Sequence, residues 1–198
     1  RIMNLTWSQI AGGSHHSLIV TDGGDVYAMG SGADGQLGNG SYERLLALCK
    51  KLPPTDRLTS DVPVSSFVPF QLRDLGARIV HVSAGDRFSA CIDSCGSVYT
   101  WGYDGTVDHN VVDSHHVSRL GTGPPITLNA KDVAQLRHSE IDWLKIANTR
   151  PRMVRLSADR PMIKMLSCGA DHVVCVSVDG DTYSWGLGEV RRWKIYFY

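Results

Sequence analysis

The sequence predicts an all-β fold assembled from repeated hairpins, and three observations predict it. One gapless pattern occurs three times, at Gly13–Gly30, Gly85–Gly102 and Gly169–Gly186. Each copy carries short apolar runs bounded by turn residues, the signature of strands. The segment ahead of each copy repeats as well, so the unit is larger than a hairpin.

The copies read GSHHSLIVTDGGDVYAMG, GDRFSACIDSCGSVYTWG and GADHVVCVSVDGDTYSWG. Their shared columns are Gly13, Gly85 and Gly169; Gly24, Gly96 and Gly180; Tyr27, Tyr99 and Tyr183; and Gly30, Gly102 and Gly186. Met29, Trp101 and Trp185 stand before the last glycine. The first apolar run is Leu18-Ile19-Val20, Ala90-Cys91-Ile92 or Val173-Val174-Cys175-Val176. It is short and largely β-branched, so it reads as a buried strand. A polar turn follows, in which glycine supplies a positive φ that other residues resist. The second strand places the tyrosine and the tryptophan or methionine at alternate positions, on one face. A lone hairpin is unstable in water, so these units are expected to stack on one another.

The flanks extend the pattern. Val68-Pro69-Phe70-Gln71-Leu72 leads through Ile79 and Val82 to Gly85, and Arg150-Pro151-Arg152-Met153-Val154 leads through Ile163 and Leu166 to Gly169. Trp7 and Ile10 hold the matching offsets ahead of Gly13, and Gly35-Gln36-Leu37-Gly38 follows the first copy. The assembled pattern resembles the regulator of chromosome condensation repeat family, over somewhat more than half the chain. That resemblance implies part of a β-propeller with blades of four antiparallel strands, usually seven in the whole protein. Propellers protect their sheet edges by radial repetition. Three repeats do not close a ring and would leave edges open. The chain, residues 1–198, is therefore expected to be a segment of a larger propeller.

Composition bounds the rest. The chain is 42% hydrophobic and 20% charged, with a formal net charge of zero. No apolar run reaches the length that spans a bilayer, and no signal pattern opens the chain. Five cysteines form no disulfide framework. Cys91 and Cys175 share an apolar column with Ile19, and Cys168 shares a small-residue column with Gly12 and Ala84. Packing explains these three, which points to a reducing cytoplasmic or nuclear compartment.

The three copies lie further apart than the roughly 40 to 50 residues of a propeller repeat. Insertions between blades are therefore expected within residues 39–66 and 106–149. Residues 41–49, capped by Ser41 and stopped by Pro53-Pro54, and residues 132–147, with apolar residues near helical spacing, are expected to be helices. Insertions in repeat proteins gather on one face, often the binding face. Copy two shows no Gly-Gln-Leu-Gly after Tyr103, and the tail 191–198 departs from the pattern, with Arg191 in the column of Gly35.

Chemistry-bearing residues are few. Asp108, His109, Asp113, His115 and His116 form the densest set of potential metal ligands, but they lie in a polar insertion and read as a solvated loop. His16 and His172 recur, and a recurring residue has a recurring job, here an expected hydrogen bond to backbone inside each blade. Gly30 to Gly35 fits G-x-G-x-x-G with no βαβ unit around it, and Asp22-Gly23-Gly24-Asp25 reads as a turn rather than a calcium loop. No catalytic residue, cofactor or metal site is assigned. Basic residues gather at Arg150, Arg152, Arg155, Arg160 and Lys164, and again at Arg191, Arg192 and Lys194. A neutral chain sets up no global field for phosphates, so nucleic acid or chromatin is the weaker partner class.

Two functions follow from the resemblance. One is a non-catalytic scaffold or adaptor that binds other proteins. The other is guanine-nucleotide exchange on a Ran-type small GTPase, which requires preference for the nucleotide-free state. The first is preferred here, because no residue of an exchange surface carries over.

Overall fold

A computed structural model describes residues 5–40, 65–73, 75–104, 119–122 and 147–186. Every regular element among them is a β-strand: β1 (Trp7–Gly12), β2 (His16–Thr21), β3 (Val26–Gly30), β4 (Ser66–Gln71), β5 (Ile79–Ala84), β6 (Phe88–Asp93), β7 (Val98–Tyr103), β8 (Ala147–Met153), β9 (Ile163–Cys168), β10 (His172–Ser177) and β11 (Thr182–Gly186). They form three antiparallel sheets in the orders β1-β2-β3-β4, β5-β6-β7-β8 and β9-β10-β11. These are propeller blades, the first two with four strands each.

The repeat columns set the register. His16 faces Gly30, Phe88 faces Gly102 and His172 faces Gly186 across equivalent hairpins. The β2–β3, β6–β7 and β10–β11 turns close alike. The backbone N–H of Gly24, Gly96 and Gly180 donates to the carbonyl of Thr21, Asp93 and Ser177, and these glycines have φ of +89°, +80° and +98°. The residue at the end of the second strand also accepts through its side chain. Thr21 Oγ1 takes the Asp25 N–H at 3.0 Å, Asp93 Oδ1 the Ser97 N–H at 2.8 Å, and Ser177 Oγ the Asp181 N–H at 3.0 Å. Three residue types thus do one job, satisfying a turn donor.

Strands β1, β5 and β9 lie side by side as the inner strands. Gln9 ties two of them: its Oε1 accepts the Val82 N–H at 2.9 Å, and its Nε2 donates to His81 Nδ1 at 2.9 Å. His81 Nε2 then donates to the Leu166 carbonyl in β9, at 2.8 Å. Between blades the cores are apolar. Leu18, Val20, Val26 and Ala28 of the first blade pack against Ile79, Val82, Cys91 and Trp101 of the second. Ala90, Ile92 and Val98 repeat the arrangement against Ile163, Leu166 and Cys175. The tyrosine and tryptophan of a hairpin do share one face: Tyr99 joins Trp101 in the first core, and Tyr183 joins Trp185 at the second.

Two expectations are revised. The long connections fall inside blades, between the third and fourth strands, because β4 and β8 return to pair with β3 and β7. The expected helix at 41–49 lies outside the described residues. So does that at 132–147 apart from Ala147, which opens β8 rather than closing a helix.

Candidate functional site

One face of the sheet array carries the turns β1–β2, β5–β6 and β9–β10, together with the chain that leaves β3 and β7. Each turn is closed by a hydrogen bond of 2.9 Å, from Gly13 to the His16 carbonyl, Gly85 to Phe88 and Gly169 to His172. The ring at the third position covers the glycine so closely that a Cβ there would overlap it. A flat ring is what this column needs, so His16, Phe88 and His172 interchange.

After β3 the chain turns back onto the second blade. Gln36 and Leu37 are completely buried. The Gln36 carbonyl accepts the Trp101 Nε1–H at 2.8 Å and the Ser89 hydroxyl at 2.8 Å. His16 Nε2 lies 2.8 Å from Ser89 Oγ. Ser89 has one proton and gives it to Gln36, so His16 is the donor and carries its proton on Nε2. The recurring histidine therefore bonds a side chain of the next blade, not backbone within its own. Burial drives its pKa from 6.5 down to about 4, against a smaller opposing effect of the Phe88 backbone. Gly38, at φ +69°, lies against the indole of Trp101, and a Cβ there would come within 2.7 Å of Nε1.

The second blade has the same clasp, further along the chain. Arg119-Leu120-Gly121 occupies the place of Gln36-Leu37-Gly38. Leu120 is fully buried, and Gly121, at φ +66°, lies against the indole of Trp185. Thr100 Oγ1 donates to the Leu120 carbonyl at 2.6 Å, and the Leu120 N–H donates to Asp104 Oδ1 at 2.9 Å. The repeat is thus present in copy two, displaced by residues 105–118. Leu-Gly in Arg-Leu-Gly-Thr was the available signal, hidden by the insertion and by arginine in the glutamine column.

Charged groups run across this face from blade to blade. Arg87 lies 3.9 Å from Asp34 and 3.5 Å from Asp86. Its guanidinium sits 3.9 Å from the centre of the Tyr103 ring, with that of Arg119 at 5.0 Å. Arg119 Nε is 2.7 Å from Asp171 Oδ1 in the third blade. Burial raises the Asp34 pKa, and Arg87 opposes the rise. These cations are balanced within the protein. Among the described residues this part of the face is therefore a mixed-charge surface.

Of the other sequence candidates, Asp108, His109, Asp113, His115 and His116 are outside the described residues, as are Arg191, Arg192 and Lys194. Among the described residues no group of three or more His, Cys, Asp and Glu is placed to hold a metal. Gly30 to Gly35 forms the turn after β3, where Ser31 N–H bonds the His15 carbonyl. Asp22 to Asp25 is the hairpin turn described above. Arg155, Arg160 and Lys164 are exposed and spread over β9 and the connection before it. Cys91, Cys95, Cys168 and Cys175 are free thiols. Burial pushes the Cys168 and Cys175 thiols up to about 12, so neither is a nucleophile near neutral pH. Among the described residues no helix is long and apolar enough to cross a membrane.

Residues 7–36 and 23–92 match the Regulator of chromosome condensation (RCC1) repeat. The chain is 26% identical over 201 residues to the mouse E3 ubiquitin-protein ligase HERC2, covering 90% of this chain and 4% of that protein. It is 26% identical to the mouse secretion-regulating guanine nucleotide exchange factor, covering 89% of this chain and 40% of that protein. The crystal structure of Prp20p from Saccharomyces cerevisiae superposes with a TM-score of 0.56 at 19% identity, over 96% of this chain and 32% of that one. The chain therefore spans less than half of each of these proteins, and the structural likeness concerns the propeller fold.

Proposed function

We infer that this chain, a member of the regulator of chromosome condensation repeat family, works as a non-catalytic protein-interaction module. The observation that carries this reading is that both long connections, residues 31–65 and 104–146, leave from one face. That face is held rigid by the clasps at Gln36–Leu37 and Arg119–Leu120. Rigid blades that present variable loops are a common basis for recognition. The buried polar groups there are used to join blades: His16 through Ser89, Trp101 through Gln36, and Arg119 through Asp171. The partners are other soluble proteins of the cytosol or nucleus.

Partner capture tests the reading. Proteins bound by the chain are compared with those bound by a variant in which residues 123–146 are replaced by a short Gly-Ser linker, leaving Arg119–Gly121 and β8 in place. Loss of specific partners from a variant with unchanged circular dichroism supports the module. An unchanged partner set contradicts it.

The alternative is guanine-nucleotide exchange on a Ran-type GTPase. It is favoured by the relative named as an exchange factor and by Prp20p, whose binding properties toward Gsp1p and histones accompany its structure. That reading requires faster GDP release in the presence of the protein.

A further inference from the structure

The outer rim between the first two blades carries a pocket of about 520 Å³. Its walls come from three places in the fold: Gly38 and Asn39 at the end of the first clasp, the stretch from Phe70 to Arg73 at the end of β4, and Arg150 of β8. Backbone contacts fix these parts together. The Gly40 N–H donates to the Thr149 carbonyl at 2.9 Å, which ties the chain after Asn39 to β8. Gly40 has φ +63°, and a Cβ there would come within 2.8 Å of Arg150 Nε and 2.9 Å of Nη2. The Arg150 guanidinium therefore lies against the Gly40 backbone, and the fold sets its place beside the pocket.

The wall formed by β4 is an open sheet edge, because β4 is the last strand in the order of its blade. The Leu72 N–H donates to the Val26 carbonyl at 2.8 Å, and Gln71 and Phe70 continue this register opposite Tyr27 and Ala28. In an antiparallel pair, residues alternate between bonding their partner and pointing away from it. Gln71 thus turns its backbone N–H and C=O outward, off the sheet. The side chains beside that edge carry one sign of charge. Arg73 is exposed and forms no ion pair among the described residues. No carboxylate stands with Arg73 and Arg150 among the described residues of the pocket wall, and Phe70 and Leu72 supply its apolar part.

We propose that this pocket takes an extended acidic segment of a partner protein, added as a further strand on the outer edge of the first blade. The backbone of the segment pairs with the N–H and C=O of Gln71, the mode by which peptides add to open sheet edges. An Asp or Glu side chain of the segment lies between Arg73 and Arg150, where charge-assisted hydrogen bonds set its register. An apolar side chain rests on Phe70. The proposal rests on the interaction-module reading, but its surface is separate from residues 123–146.

The test selects a phage-displayed library of random decapeptides on the folded chain. Enriched peptides are then titrated by fluorescence anisotropy against the chain and two variants. Arg73→Glu reverses an exposed charge. Gln71→Pro removes the outward N–H, as Pro69 already does two residues earlier, and proline is tolerated at such edge positions. Circular dichroism checks that both variants keep the fold. Selection is expected to enrich Asp and Glu. Arg73→Glu should weaken binding by about 10-fold or more, and high salt should weaken the binding of the unaltered chain. Gln71→Pro should weaken it by about 5-fold. Replacing residues 123–146 by the Gly-Ser linker should leave peptide binding unchanged, so this surface and the loop-bearing face fail separately. Selection that enriches no acidic peptide overturns the proposal, as does undiminished binding to either variant.

Discussion

The two junctions between blades have the same architecture and opposite chemistry. At the first, His16, Ser89 and Gln36 form a buried hydrogen-bonded chain. At the second, the equivalent positions are Phe88, Val173 and Arg119, and the first two close an apolar cluster with Leu120. Histidine has become phenylalanine and serine valine, on the two sides of one contact. The pair has changed together because half of the exchange would leave a buried polar atom unpaired. The glutamine whose carbonyl closed the first chain is an arginine at the second. Its side chain stays buried and reaches Asp171 and the Tyr103 ring instead. Among the described residues the Trp185 indole N–H then has no hydrogen-bond partner, unlike that of Trp101. What the repeat preserves is shape: a buried leucine, a glycine against an indole, and a ring over the turn.

The largest effect is expected from breaking that shared shape. Leu37→Ala and Leu120→Ala each remove a fully buried side chain, and each should cost about 2–5 kcal/mol in chemical denaturation. Similar losses at both junctions support equivalent clasps. A small loss at Leu120 alone would mean that Arg119–Gly121 is only a loop crossing the second blade.

Next comes pH, which should act at the first junction only. The pKa of His16 is about 4 when folded and 6.5 otherwise, so the unfolded chain takes up the proton first. The contribution is complete above pH 6.5 and is lost as pH falls toward 4, amounting to about 3 kcal/mol. His16→Phe should flatten the stability profile in that window, and an unchanged slope would contradict the buried neutral imidazole.

A smaller effect separates chemistry from shape. Ser89→Val alone strands the His16 Nε2 donor and should cost about 1–3 kcal/mol. Adding His16→Phe recreates the second junction's pair and should recover most of that loss. A double-mutant cycle reads the coupling directly, and strict additivity would refute the paired exchange. The smallest expected effect is that of Arg119→Gln. It breaks an ion pair whose Asp171 side is open to solvent, costs about 1 kcal/mol, and should shrink further at high salt.

Much of this fold was legible because packing repeats its demands. The glycine and tyrosine columns are constrained by turns and blade cores, so they keep their letters. The column of Thr21, Asp93 and Ser177 was not legible, because any short oxygen-bearing side chain can accept the turn N–H. The second clasp was missed for a related reason: its leucine and glycine persist, but residues 105–118 displace them and arginine replaces the glutamine. The bonding of His16 was misassigned because its partner, Ser89, belongs to another blade and sits opposite only after folding. The charged face had no sequence signal at all. Arg87 and Asp171 share a repeat column with His15, and Arg119 stands in that of Gln36, but the letters differ from copy to copy, and only the blade geometry shows that these groups meet.

Release of fluorescent GDP from a Ran-type GTPase, followed with and without the protein, tests the central functional claim most directly. A non-catalytic interaction module leaves the release rate unchanged at concentrations where the chain is folded and its loops bind partners. Accelerated release that disappears when residues 123–146 are replaced would contradict that reading and assign exchange activity to this face.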